Sequence, residues 1–146
     1  MSYGLLITLH LLAAVAFAGT VFFEVVMLEG IRKHLPREIM REVERAIGNR
    51  AVRIMPWVLL VLYSAGIGMA WQHQAALAQP LASSFGLLLG IKIILAISVF
   101  GHFVTAMLWR KRGLLNRQRS QRLHLSIFCH VLAIIILAKA MFYLHW

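Results

Sequence analysis

Four long apolar runs, separated by two strongly basic connections, take up almost the whole chain of 146 residues. They extend from Leu5 to Leu28, Ile54 to Trp71, Phe85 to Trp109 and Leu123 to Leu144. A helix rising 1.5 Å per residue needs about 20 residues to cross roughly 30 Å of hydrocarbon, and each run reaches or nears that length. Hydrophobic residues make up 61% of the chain, too many for the polar surface of a small water-soluble monomer. The expected fold is all-α: an integral membrane antiparallel four-helix bundle in one domain, residues 1–146, with helices near 5–28, 54–73, 85–109 and 123–144.

The formal net charge of +10 invites a nucleic-acid reading, but its placement argues against one. Of fifteen Lys and Arg residues, seven lie from Arg32 to Arg53 and six from Arg110 to Arg122; Lys92 and Lys139 alone fall inside apolar runs. Both basic connections share one membrane face if four helices cross in sequence. The positive-inside rule assigns that face to the cytoplasm and puts both termini, with the Gln72 to Ser84 link, outside. The expected address is the bacterial inner membrane, multi-pass, with the lipid bilayer as the main partner. The first run lacks a charged n-region and a small-residue cleavage pattern, so it reads as a retained helix.

Residues 36–48 are expected to form a short amphipathic helix, lying at the interface or extending helix 2 into the cytoplasm. Pro36 suits a first turn, and Ile39, Met40, Val43 and Ile47 form an apolar stripe. Arg37, Arg41 and Arg45 make a positive row suited to anionic headgroups.

Ionisable side chains inside the hydrocarbon are costly unless paired, ligated or wet, so the candidate functional residues are sought there. With helix 3 leaving near Trp109 and helix 4 entering near Leu123, His102 and His130 each lie about seven residues from the cytoplasmic edge. Matching depth on consecutive antiparallel helices suits two axial ligands approaching one macrocycle from opposite sides. Glu24 belongs to this inner layer and is placed to hydrogen-bond an imidazole or take its proton. An outer layer holds His10, on one face with Phe17 and Glu24, together with Lys92, a partner for a propionate or anion. His73 and His145 mark the outer ends of helices 2 and 4. Met69 precedes His73 by four residues, as Met141 precedes His145, so each pair offers one thioether and one imidazole.

Other features have plainer meanings. Cys129 reads as a packing residue, and Trp57, Trp71, Trp109 and Tyr143 as interfacial anchors. Gly66, Gly68 and the Gly86/Gly90 pair are expected to permit close helix approach or to leave room for a planar group. There is no phosphate-binding loop, dinucleotide fingerprint, C-x-x-C or C-x-x-C-H, so any haem is non-covalent b-type. A transporter of this size would need a homodimer to line a pathway.

The segment L-H-L-L-A-A-V-A-F-A-G-T-V-F-F from Leu9 to Phe23 resembles the first helix of two membrane families, the CopD-type copper-resistance proteins and the HemJ-type protoporphyrinogen oxidases. G-I-K-I-I-L-A from Gly90 to Ala96 is similar to their lysine-bearing helix. With the helix plan, the resemblance covers most of the chain. It implies haem b or copper as cofactor, involves His10 and Lys92, and makes a porphyrin a candidate substrate. The Arg-rich third connection and the His102/His130 pair depart from the HemJ pattern.

Two functional expectations follow. The first is a membrane b-type haem protein with one or two haems, acting in electron transfer or as a haem-dependent oxidoreductase with a quinone or small molecule. In it, His102 and His130 face one iron, and His10, opposed by His73, serves another. The alternative is copper binding or translocation, with Met69, His73, Met141, His145 and His10 as an outer vestibule and the inner histidines beyond it; a HemJ-like oxidase is a further alternative. A cofactor-free helical scaffold would instead leave the buried histidines needing ordinary hydrogen-bond partners.

The orientation is directly testable. In a Cys129→Ser background, a cysteine at Arg45 or Arg117 is expected to react with a membrane-impermeant maleimide only after the cytoplasmic face is opened. One at Gln74 reacts from outside in intact cells; the reverse pattern inverts the assignment.

Overall fold

The computed structural model describes residues 2–144, and every regular element within them is helical. Helix α1 (Tyr3–Phe22) passes through one π-helical turn at Phe23–Met27 into α2 (Leu28–Arg32). Then come α3 (Arg37–Gln72), the short α4 (Gln74–Ala78), a 3₁₀ turn at Pro80–Ala82, α5 (Ser84–Lys111) and α6 (Arg117–Tyr143). Four helical stretches, Tyr3–Arg32, Arg37–Gln72, Ser84–Lys111 and Arg117–Tyr143, are long and apolar enough to cross a membrane.

Their surfaces are those of helices dissolved in lipid. Leu12, Ile94 and Ile136 are 64%, 66% and 67% exposed, which in water would be an aggregation surface and in hydrocarbon carries no penalty. Threonine hydroxyls on these helices are bonded back into their own backbone: Thr8 donates to the Gly4 carbonyl, Thr20 to Ala16 and Thr105 to Gly101, at 2.9, 2.9 and 2.8 Å. Among the described residues no buried side-chain nitrogen or oxygen lacks a partner. Bilayer interiors demand that, since an unmet polar group there costs several kcal/mol.

The chain divides into two compact units, residues 1–70 and 71–146. In the first, α1–α2 and α3 are joined by the short turn 33–36. Arg32 closes it, donating from Nε to Glu44 Oε1 at 2.9 Å and pairing also with Glu29. Of the two readings of residues 36–48, the structure has the extension of helix 2 and no separate interfacial helix: α3 runs unbroken from Arg37 to Gln72, through Pro56. Its first part is the amphipathic stretch, and the helix continues through Gly48 and Pro56 into the spanning part. Gly68 lets the helices of this unit approach closely; a Cβ there would stand 3.2 Å from both Leu6 methyls.

In the second unit α5 and α6 form an antiparallel hairpin. Its cytoplasm-assigned end is a tight turn with Gly113 at φ +66, the left-handed region glycine enters without steric cost. Asn116 then caps α6, its Oδ1 accepting from the Arg119 N–H at 2.8 Å. At the other end Leu88, Leu89 and Met141 make a buried apolar cluster flanked by Leu77, Phe85, Ile93 and Leu137. The buried Ser84 hydroxyl donates to the Leu144 carbonyl at 2.7 Å, fastening the start of α5 to the end of α6. Ser83 caps α5, accepting from the Gly86 N–H at 3.1 Å.

The Gly86/Gly90 pair does not act as a helix-packing motif. A Cβ on Gly86 would meet the Ala76 carbonyl oxygen at 2.8 Å and that of Pro80 at 3.2 Å, whereas Gly90 has open space. It is the α4–α5 link, folding back over the start of α5, that requires the glycine. Gly86→Ala is therefore expected to destabilise by about 1–3 kcal/mol through overpacking against backbone, with Gly90→Ala near neutral, in denaturant titrations of the detergent-solubilised protein. Equal effects at the two positions would contradict this packing.

Candidate functional site

The most organised polar site lies midway along the α5–α6 hairpin and involves two histidines and two serines. His102 donates from Nδ1 to the Ser98 carbonyl at 2.7 Å, one turn back on its own helix. His130 does the same to the Ser126 carbonyl at 2.8 Å. Each serine hydroxyl reaches the other helix's imidazole: Ser98 Oγ to His130 Nε2 at 3.1 Å, and Ser126 Oγ to His102 Nε2 at 2.9 Å. With Nδ1–H committed to a carbonyl, each neutral imidazole carries its lone pair on Nε2, so the hydroxyls must be donors. The imidazole centroids are 5.2 Å apart with planes at 55°.

This quartet has a local two-fold character written in the sequence. Ser98-Val99-Phe100-Gly101-His102 on α5 and Ser126-Ile127-Phe128-Cys129-His130 on α6 share the pattern S-x-F-x-H. Serine and histidine four residues apart lie on one helix face. Reversing the chain direction places each histidine opposite the other helix's serine. The histidines alone do not reveal this; the repeated serines carry the signal.

The repeat also corrects the expected matching depth. The turn is centred near Leu114, which leaves His102 twelve residues before it and His130 sixteen after it. Level partners are therefore Ser98 with His130 and His102 with Ser126, and the histidine Cα atoms are offset by one turn, about 6 Å. Their rings still meet, because helical side chains lean toward their own N-terminus, and on antiparallel helices those directions bring these two together.

A haem gripped between His102 and His130 does not fit this arrangement. Two imidazoles on opposite sides of one metal, with metal–nitrogen bonds of about 2.0 Å, have centroids roughly 6 Å apart and both Nε2 atoms aimed at the ion. Here the centroids are closer, and each Nε2 is turned to a serine of the facing helix. Housing a macrocycle would require breaking both cross-helix bonds and parting the helices.

His10 has different surroundings, in the first unit. It is half-buried on α1, and its Nδ1 lies 2.9 Å from the Leu62 carbonyl on α3. The ring lies against Gly66, where a Cβ would come within 3.2 Å of Cε1. A backbone carbonyl holding Nδ1–H is the usual outer support of a metal-ligating histidine and makes Nε2 the donor nitrogen. For a group taken up on one imidazole, His10 has the required tautomer and a neighbour without a side chain.

The remaining candidates are scattered. Glu24 is half-buried in the π-helical turn, one residue past its start. Lys92 is half-buried on α5. His73 directly follows α3 and caps α4; its ring packs on Phe85 with centroids 5.3 Å apart. Met69 is half-buried on α3. Met141 is 6% exposed in the apolar cluster with Leu88 and Leu89, and His145 lies outside the described residues. Cys129, expected in packing, is exposed, because Ser126 and His130 occupy the face of α6 that meets α5. Among the described residues no three His, Cys, Asp or Glu side chains converge as a metal site.

No family model, curated protein or solved structure matches the chain. What the site can do therefore follows from its own residues.

Double-mutant cycles check the quartet's wiring. Side-chain hydrogen bonds between membrane helices couple by about 0.6 kcal/mol on average and up to about 1.7. Ser98→Ala with His130→Ala, and Ser126→Ala with His102→Ala, are expected to couple within that range. Ser98→Ala with His102→Ala should be close to additive, because that contact uses the serine backbone. Coupling in the third cycle as large as in the first two would reject the reciprocal arrangement.

Proposed function

We propose that this chain is a membrane b-type haem protein that transfers electrons, with a quinone or small molecule as partner, and that His10 is the histidine presented to iron. The observation that carries the reading is the fixed tautomer of His10, whose Nδ1 is held by the Leu62 carbonyl beside Gly66. A lone-pair nitrogen pre-oriented in this way loses little entropy on ligation. Gly66 leaves room for the imidazole at the α1–α3 contact of its unit. A bound haem would supply one-electron exchange; the chain supplies the donor nitrogen and its orientation.

The resemblance of Leu9–Phe23 and Gly90–Ala96 to the CopD and HemJ types supports the same direction, since it too centres on His10 and adds Lys92. A bacterial inner-membrane location accords with the two basic connections on one face. Copper handling competes for the same residues, and a HemJ-like oxidation of a porphyrin would be an elaboration of the haem reading.

The test is the absorption spectrum of detergent-purified protein from haem-replete cells, air-oxidised and dithionite-reduced, with haem and metal content measured on the same sample. Sharp reduced α and β bands with one haem per chain are expected. His10→Ala should lose them, while Ser98→Ala/Ser126→Ala keeps them. A featureless spectrum removes the haem reading, and copper found in its place moves the function to ion handling. Bands that survive His10→Ala but not His102→Ala reassign the ligand.

A further inference from the structure

The two basic connections, assigned to the same membrane face, differ in how their charge is balanced. All five acidic residues of the chain fall between Glu24 and Glu44, so residues 45–146 contain no carboxylate side chain. The first connection therefore carries its own counter-charges. Arg32 pairs with Glu29 and Glu44, and its side chain is only 13% exposed. Glu38 and Glu42 stand among Arg37, Arg41 and Arg45 on the same helix.

The hairpin tip between α5 and α6 has no acidic side chain in its own unit. Arg110, Lys111, Arg112, Arg117, Arg119 and Arg122 are all exposed, six cations in thirteen residues. The fold concentrates them: the left-handed Gly113 reverses the chain within a few residues and sets the end of α5 beside the start of α6. Arg119 is held in place, donating to the Leu114 carbonyl at 2.9 Å with its guanidinium 5.3 Å from the Trp109 ring centre. Tryptophan settles at headgroup depth, so this contact puts the cationic cluster at the level of lipid phosphates. A clustered charge of one sign needs counter-ions from outside its own unit, and the abundant anions at that depth belong to the leaflet.

We propose that the α5–α6 tip is a selective docking surface for anionic phospholipid headgroups, and that the first basic connection is not. Juxtamembrane Lys and Arg near an anionic leaflet attract it additively, and guanidinium groups match phosphate oxygens in a forked, two-bond geometry. The first connection, mixed with carboxylates, has less residual charge to offer.

The experiment uses the full chain in bilayers of phosphatidylcholine containing spin-labelled phosphatidylglycerol or spin-labelled phosphatidylcholine, comparing how strongly each is held at the protein surface. The expected result is a preference of about threefold or more for phosphatidylglycerol at low salt, falling toward unity at high salt as screening shortens. Arg117→Gln/Arg119→Gln/Arg122→Gln should abolish most of it. The charge-preserving Arg117→Lys/Arg119→Lys/Arg122→Lys variant retains it, which separates charge from folding damage. Lys33→Gln/Arg37→Gln/Arg41→Gln is expected to leave it largely intact. The proposal is overturned by a preference that survives neutralising the tip, by one lost on neutralising the first connection, or by none in the parent chain. Displacement by dilute inorganic phosphate at constant ionic strength would also overturn it, showing a site for the free anion.

Discussion

Polar groups inside hydrocarbon have no water to bond, and the organisation of this molecule follows from that shortage. Backbone amides are satisfied by helices. Threonine hydroxyls turn back onto carbonyls four residues earlier. Side chains too long or too polar to be satisfied locally must recruit another helix, and those are the contacts that fix the tertiary pairing. His10 takes the Leu62 carbonyl within the first unit, and the Ser–His quartet joins α5 to α6 within the second. Apolar packing gives these helices little reason to choose one register over another, because lipid is as good a neighbour as leucine. The hydrogen bonds supply the choice.

The quartet illustrates how a small number of polar atoms can do so. A slip of α6 by one turn along α5 would bring Ser98 level with Ser126 in one direction, or His102 level with His130 in the other. Either way both cross-helix bonds would be lost together. The Ser84–Leu144 bond at one end and the Gly113 turn at the other agree with the observed register. Three independent contacts along about 40 Å of hairpin therefore point to a single alignment.

Functional chemistry has to operate within this frame. The carbonyl-held tautomer recurs at His10, His102 and His130, yet the three rings differ in their neighbours. At His102 and His130 the Nε2 atom is met by a serine, so the pair is already satisfied as it stands. His10 is held by the Leu62 carbonyl and rests over a glycine. The seat of His10 at the Leu62 carbonyl and Gly66 directs the haem proposal to α1, and the cross-helix bonds make α5–α6 a pairing device. The basic tip of the same hairpin then faces the membrane surface with charge that no carboxylate of its own unit balances.

Much of the architecture was legible in the amino-acid sequence. Four runs of the right length and two basic connections determine four membrane-length helices, because hydrocarbon thickness and the cost of burying charge leave few alternatives. The S-x-F-x-H repeat was equally open to reading, although its meaning depends on where the α5–α6 turn is centred. What the tertiary structure decided were matters of rotation and level. It set His102 and His130 one turn apart, placed Gly86 against a returning loop, put Met141 into an apolar cluster and Cys129 outside, and merged the amphipathic stretch into α3. Each depends on the angle of a helix about its axis or on the residue at which a turn closes. Hydropathy is nearly uniform around these helices and so encodes neither; a few hydrogen bonds and one left-handed glycine do.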